Sequence, residues 1–139
     1  MATADSKQIA QRIPGEKSSL PTLALLAGWI VPGAGHLVVG KPIRAALLFV
    51  SILGMFLTGL ALAGKIYSPG TGDILDMLCF AGQLGMGLLY ALAKGLGWGA
   101  TSAINTMADY GSKFLVCAGL LNLIAAVDAY SLANGRKAS

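Results

Sequence analysis

Four stretches of apolar residues, each long enough for a membrane-spanning helix, dominate this chain. Residues 20–39 and 45–64 contain no Asp, Glu, Lys or Arg, and residues 74–93 and 114–133 contain one charged residue each, Asp76 and Asp128. A helix needs about 20 such residues to cross a hydrocarbon core about 30 Å thick. An unclosed span must be helical because the backbone has to satisfy its own hydrogen bonds in lipid. The pattern therefore predicts an all-α integral membrane bundle of about four transmembrane helices.

The overall composition supports lipid as the solvent for most of this chain. Hydrophobic residues make up 55% of the 139 residues and charged residues only 12%, whereas soluble domains contain about 25% charged residues. A globule of this size keeps a large surface exposed, so it could not hide this much apolar area from water. The ten basic residues outnumber the six acidic ones but form no dense cluster. We therefore expect a lipid bilayer, and not nucleic acid, as the partner.

The distribution of polar residues divides the chain into a membrane domain and two tails. Residues 1–19 are polar, and Pro14-Gly15 would break a helix there, so we predict a short N-terminal tail. The alternative is a signal peptide, since a basic start precedes an apolar core. The membrane domain is predicted at residues 20–134, and a basic C-terminal tail at residues 135–139. The predicted spans are about 20–39, 43–64, 74–94 and 112–134, with a polar connection at 100–110 that has room for a short interfacial helix.

Pro32-Gly33-Ala34-Gly35 interrupts the first stretch after 12 apolar residues. Proline removes a backbone donor and clashes with the preceding turn, so the segment either ends as a loop at the membrane surface or re-enters. With four full spans, six basic residues lie on the side of both termini and four lie opposite; with a re-entrant first stretch the division is seven to three. The positive-inside rule favours the second division, whereas the length of the stretch favours a span. Our working prediction is four spans with a cytoplasmic N-terminus, and the orientation stays open.

The residues after this interruption match the GxxxxGK spacing of a phosphate-binding loop only in part. Pro42 stands where such a loop needs Ser or Thr to hold Mg²⁺, and an apolar helical stretch precedes it in place of a strand. His36 is the only histidine, which is too few for a metal site, so we expect it to hydrogen-bond carbonyl groups left open by the interruption. The residues of this structural motif are Pro32, Gly33, Gly35, His36, Gly40 and Lys41.

Three polar side chains fall inside the later apolar stretches. Gln83 and Asn122 lie near the centres of two stretches that we expect to be antiparallel, and a primary amide in hydrocarbon needs a partner. We therefore hypothesise a hydrogen bond between these two side chains, worth about 0.6–2 kcal/mol. Asp128 lies less than two turns from the end of its stretch, where water, headgroups or a local partner would accommodate its charge.

Small residues recur at helical spacing in several stretches. The pairs Gly59/Ala63 and Ala81/Gly85 have the four-residue spacing that lets helices approach closely. One face of the last stretch contains Ala118, Asn122, Ala125, Ala126, Ala129 and Ala133. These faces would pack within the chain, against a second copy, or against another subunit of a larger membrane complex.

Two motifs carry a family resemblance. The run from Pro32 to Lys41, followed by Arg44-Ala45-Ala46-Leu47, resembles the glycine-histidine-glycine motif of the two-transmembrane-domain superfamily, where it joins two membrane helices. Leu37 and Val38 stand where that pattern usually has an aromatic pair. The run 118–123, with Asp128-Ala129-Tyr130 and Gly135-Arg136-Lys137, resembles an uncharacterised bacterial family of small membrane proteins, the domain-of-unknown-function family 6677. The resemblance implies a bacterial inner-membrane protein and implies no activity.

The sequence suggests no catalytic set, cofactor site or metal site. No paired carboxylates lie at helical spacing inside the apolar stretches, and no Ser/His/Asp or Cys/His arrangement is evident. Cys79 and Cys117 have no metal-binding spacing and are expected to be small buried hydrophobic residues. We therefore expect a non-enzymatic structural or accessory membrane protein that packs through its small-residue faces. The alternative is a small transporter or channel component that uses Gln83, Asn122 and Asp128.

Overall fold

The computed structural model describes residues 19–70, 72–99 and 106–135, which form six helices and no strand. The helices are α1 (Leu20–Ile30), α2 (Ala34–Val38), α3 (Pro42–Ala61), α4 (Ile74–Leu84), α5 (Leu88–Gly95) and α6 (Thr106–Ala133). The all-α fold class is therefore confirmed for this part of the chain. Most of the predicted N-terminal tail, residues 100–105 of the polar connection, and residues 136–139 of the basic tail lie outside the described residues.

Two helices, α3 and α6, are long and apolar enough to cross a membrane. Helices α4 and α5 together pass the same test, but the chain bends by 115° between them. Helix α1 is apolar but has only 11 residues, which is about 16 Å of helix against a core of about 30 Å. The described residues thus contain two or three candidate spans, and the predicted bundle of four transmembrane helices is not confirmed.

The interval 74–94, which we predicted as one span, is interrupted at Gly85-Met86-Gly87. Gly87 has a φ of +58°, and a Cβ added there would lie 2.0 Å from the carbonyl oxygen of Trp29. Only glycine adopts this conformation at so close an approach without strain. The break therefore lies where the chain passes close to the end of α1, a contact that no local apolar pattern reveals.

Helix α6 is the centre of the bundle and packs against α1, α3 and α4. Backbone meets backbone at several points along it: Gly111 lies against Gly59 and Gly64, and Gly119 lies against Gly82. The main hydrophobic core is formed by Ile52, Phe56, Ile66, Met86, Tyr90, Ala93, Leu115 and Ala118. The outside of the bundle is also apolar, because large side chains such as Ile43 (76% exposed) and Ile74 (85% exposed) point away from it. Lipid is the solvent that such a surface suits.

Candidate functional site

The ends of two short helices converge on the side chain of Asn122. This residue is fully buried in α6, and its Nδ2 donates to the carbonyl of Trp29 at 3.1 Å and to the carbonyl of Gly85 at 2.8 Å. Trp29 lies in the last turn of α1, and Gly85 directly follows α4. In addition, Nε1 of Trp29 donates to the carbonyl of Leu84 at 3.2 Å. Since carbonyl groups at helix ends have no intrahelical donor, these side chains satisfy the backbone where α1 and α4 stop inside the bundle.

The oxygen of the Asn122 amide, unlike its nitrogen, is not hydrogen-bonded within the described part of the chain. Oδ1 of Asn122 is buried and has no hydrogen-bond partner among the described residues. A buried acceptor without a donor costs about 1–3 kcal/mol. The junction at Asn122 therefore combines two satisfied carbonyl groups with one unsatisfied oxygen.

The hypothesised hydrogen bond between Gln83 and Asn122 is absent from the described structure. Gln83 is fully buried, and its Oε1 accepts from the backbone N–H of Tyr67 at 2.8 Å while its Nε2 donates to the carbonyl of Lys65 at 2.9 Å. Asn122 instead contacts Gly85, two residues beyond Gln83. The two amides lie at neighbouring levels of α4 and α6, but each binds backbone groups. The irregular backbone nearby has free donors and acceptors, whereas the backbone groups inside a helix are already paired.

The end of α5 returns to the segment that leads into α4. The hydroxyl of Tyr90 donates to the carbonyl of Tyr67 at 2.7 Å, and Nζ of Lys94 donates to Oγ of Ser68 at 2.5 Å. Tyr67 and Ser68 precede α4, whereas Lys94 lies at the end of α5. Helices α4 and α5 therefore form a hairpin whose tip is the break around Met86.

Helices α1 and α2 form a second hairpin, with its tip at Val31-Pro32-Gly33. Gly35 of α2 packs closely against α1 and α6, since a Cβ added there would lie 2.5 Å from the carbonyl oxygen of Ala24 and 2.8 Å from Cβ of Ala129. This hairpin contacts the C-terminal half of α6, whereas the α4–α5 hairpin contacts α6 around Gly119. The two hairpins thus approach Asn122 from opposite ends of α6.

His36 bonds to Asp128 and not to the carbonyl groups that we expected it to satisfy. The ring is buried (2% exposed), and its Nε2 lies 3.1 Å from Oδ2 of Asp128, whose side chain is 27% exposed. The pair ties α2 to α6 near the end of the bundle where α3 begins. Asp128 therefore has a local partner in this chain.

The remaining motif residues shape the turns on either side of α2. Pro32 and Gly33 are buried at the tip of the first hairpin, and Gly33 has a φ of +79°. After α2, the N–H of Gly40 donates to the carbonyl of Leu37 at 3.0 Å, and the N–H of Lys41 donates to the carbonyl of His36 at 2.8 Å. This pair of bonds, with Gly40 at a φ of +82°, is a Schellman motif that ends α2.

Cys79 and Cys117 line one groove of about 390 Å³ between α4 and α6, together with Tyr67 and Lys113. Both thiols are free; Cys79 is half-buried and Cys117 is exposed, so the expected burial is wrong for Cys117. Burial raises the pKa of the Tyr67 hydroxyl above its usual 10.0, and the nearby Cys79 and Asp76 act in the same direction. Within residues 19–70, 72–99 and 106–135, no group of three or more His, Cys, Asp or Glu residues is placed to hold a metal ion.

Sequence reasoning missed the roles of Trp29 and Ser112. Oγ of Ser112 accepts from the backbone N–H of Lys65 at 2.9 Å and donates to the carbonyl of Ala108 at 2.8 Å. The available signals were an indole donor just before a Pro-Gly break and a hydroxyl at the start of an apolar stretch. Neither signal identifies which distant backbone group it would bind.

A model for a family of unknown function, DUF6677, matches residues 23–138. No curated protein and no solved structure matches the chain.

Proposed function

We propose, from the premise that the chain belongs to the family of unknown function DUF6677, that it is a small non-enzymatic integral membrane protein with a structural or accessory role. The observation that carries this proposal is how the buried polar side chains are used. Gln83, Ser112 and Asn122 all bond to backbone groups of this chain, and His36 bonds to Asp128. These hydrogen bonds support a structural role, because the buried polar side chains satisfy irregular backbone inside the membrane.

In the proposed topology, α3 and α6 cross the membrane and the two hairpins re-enter from opposite faces. The short length of α1 supports re-entry of the first hairpin. The bonds of Tyr90 and Lys94 to the segment before α4 support re-entry of the second. Broken helices are tolerated at membrane depth where the protein buries them and satisfies their backbone, as Asn122 does here. The beginning of α3 and the end of α6, which both lie near α1, then face the same side of the membrane.

The distribution of basic residues supports a cytoplasmic location for that side. Under this topology, three basic residues belong to the opposite side: Lys65, Lys94 and Lys113. Seven belong to the side of α1 by sequence order: Lys7, Arg12, Lys17, Lys41, Arg44, Arg136 and Lys137. The positive-inside rule assigns the richer side to the cytoplasm. We propose a multi-pass protein of the cell membrane, specifically the bacterial inner membrane that the family resemblance implies.

The outer face of α3 is the surface proposed for contact with a partner. The predicted small-residue face of α6 is buried within the bundle except at Ala133, which is half-buried, so this chain's own helices occupy most of it. Ser51, Gly54 and Thr58 are by contrast exposed along one face of α3. Nothing lies within 4 Å of a Cβ added at Gly54.

Hydrogen bonding at this face favours a second helix as its neighbour. Oγ1 of Thr58 donates to the carbonyl of Gly54 at 2.7 Å, whereas no described residue hydrogen-bonds the Ser51 hydroxyl. A hydroxyl near the middle of an apolar helix is satisfied better across a close helix–helix contact than in lipid. We propose that a second copy, or a subunit of a larger membrane complex, packs here.

Disulfide crosslinking in intact membranes tests this proposal. Gly54→Cys is compared with Ile124→Cys, which places a thiol on an exposed position of α6 (66% exposed), both in a Cys79→Ala/Cys117→Ala background. We expect an oxidant to crosslink Gly54→Cys at twice the chain mass, because each of two packed copies supplies one thiol, while Ile124→Cys stays monomeric. Monomer alone for both variants, or equal crosslinking of both, contradicts the packing of a second copy at the proposed surface.

A small transporter or channel component remains the second candidate. The observation that favours it is the meeting of two half-length helices at a buried amide with an unpartnered oxygen, since transporters place binding sites at discontinuous helices. Its weakness is that Gln83 and Asn122 are both fully buried. Cysteine variants at Gln83, Asn122 and Asp128 decide between the candidates: reaction with a water-soluble thiol reagent supports a pathway, and protection at all three positions excludes it.

A further inference from the structure

Lys41 and Arg44 are the two cationic side chains in the described part of the chain that have no partner. Lys65, Lys94 and Lys113 each have one: a carboxylate, a hydroxyl and a tyrosine ring, respectively. The first turn of α3, which contains Arg44, has no acidic residue. Two neighbouring positive charges are therefore left without compensation at one end of a membrane-length helix.

Two adjoining hollows lie beside these charges. One, of about 380 Å³, is lined by residues 40–44 and so includes both cations. The other, of about 310 Å³, is lined by apolar side chains that include Val31, Leu37, Ala46 and Phe49. Pro42 lines both hollows. The hollow with the two cations therefore meets the apolar hollow at Pro42. A lipid with an anionic headgroup is complementary to this arrangement, because its charged headgroup is joined to apolar chains.

The backbone holds the cationic end in place. The Schellman motif fixes the N–H of Lys41 on the carbonyl of His36, and Pro42 begins α3 with a restricted φ. Arg44 follows within the same helical turn. The two cations are therefore carried on an ordered turn beside the hollow, which lowers the ordering cost of binding.

We propose that this site binds an anionic phospholipid. The guanidinium of Arg44 and the ammonium of Lys41 donate to the phosphate oxygens, and one acyl chain lies in the apolar hollow. Because no acidic residue lines either hollow, a headgroup with a net negative charge is preferred over a zwitterionic one. The apolar hollow adds affinity for the chain that a free phosphate ion lacks.

Binding of phosphatidylglycerol and phosphatidylcholine to the full-length protein in detergent micelles, followed by native mass spectrometry, tests the headgroup contacts. Lys41→Gln/Arg44→Gln is expected to weaken phosphatidylglycerol binding about 25-fold, since each cation near an anionic lipid contributes about fivefold. Lys65→Gln/Lys113→Gln removes the same net charge elsewhere and is expected to change binding less than about twofold. Equal losses in the two double variants would show only general attraction and overturn the site.

Ala46→Trp tests the acyl-chain contact without a change in charge. Ala46 is exposed at the second hollow, so the larger side chain fills the hollow and not the core. We expect phosphatidylglycerol to bind at least about tenfold more weakly, because displacing two methylene groups has an effect of that size. Glycerol phosphate, which has the headgroup chemistry without chains, is expected not to compete. Unchanged binding to Ala46→Trp, or competition by glycerol phosphate at the affinity of the lipid, refutes a phospholipid site.

Discussion

Replacing Asn122 with leucine removes the two hydrogen bonds that hold the ends of α1 and α4 and keeps the branched shape of the side chain. The carbonyl groups of Trp29 and Gly85 then lose donors at 3.1 and 2.8 Å. Hydrogen bonds between membrane helices contribute about 0.6 kcal/mol on average and about 1.7 kcal/mol at most, so two of them contribute about 1–3 kcal/mol. Loss of the unpartnered Oδ1 offsets part of this, because a buried acceptor without a donor is itself destabilising. We expect a net loss of about 1–2 kcal/mol in the free energy of unfolding.

Reversible unfolding in mixed micelles titrated with dodecyl sulfate measures this loss, and double-mutant cycles locate its origin. Trp29→Phe removes the indole bond to Leu84 at the same junction, so we expect it to couple to Asn122→Leu by at least about 0.5 kcal/mol. Gln83→Leu removes bonds to Lys65 and Tyr67, so it should add to Asn122→Leu within about 0.5 kcal/mol. An unchanged or increased stability of Asn122→Leu would refute the reasoning. So would stronger coupling to Gln83 than to Trp29, because that result implies the direct amide pair.

Two further predictions use glycine contacts and the same unfolding assay. Gly119→Ala places a Cβ 2.0 Å from the carbonyl oxygen of Gly82, so we expect it to lower stability by about 2–3 kcal/mol. The control Gly54→Ala places its Cβ in open space and should be neutral or stabilising by up to about 1 kcal/mol. Equal effects of the two variants would contradict the close contact between α4 and α6. Ala63 has a φ of +57°, so Ala63→Gly should stabilise the protein by about 0.5–1 kcal/mol, and a destabilised variant would contradict a left-handed backbone at this turn.

Length and apolar content were enough to locate the two long helices. The predicted spans 43–64 and 112–134 correspond to α3 (Pro42–Ala61) and α6 (Thr106–Ala133). The same reasoning could not divide 74–94 at Gly87, because the residues on both sides are good helix formers and Gly85 also fits a close-packed helix face. The break coincides with the close approach of Gly87 to the carbonyl of Trp29, a contact between residues far apart in the sequence.

The sequence was enough to predict several of the polar residues that belong to the site, but not which groups they bind. Burial of Gln83 and Asn122 in apolar stretches indicated that each needs a partner, and the structure gives each one. The identity of the partners could not be predicted, since they are backbone groups that become available only where helices break. The bond between His36 and Asp128, separated by 92 positions, likewise depends on the first hairpin folding back towards α6.

Thiol labelling from each face of the membrane distinguishes a re-entrant α4–α5 hairpin from a bent span. Pro69→Cys, before α4, and Gly95→Cys, at the end of α5, are made singly in a Cys79→Ala/Cys117→Ala background, with Asn134→Cys as the reference at the end of α6. An impermeant maleimide is applied to right-side-out and inverted membrane vesicles. We predict that positions 69 and 95 are labelled from one face and position 134 from the other. Labelling of positions 69 and 95 from opposite faces would contradict the two hairpins meeting at Asn122.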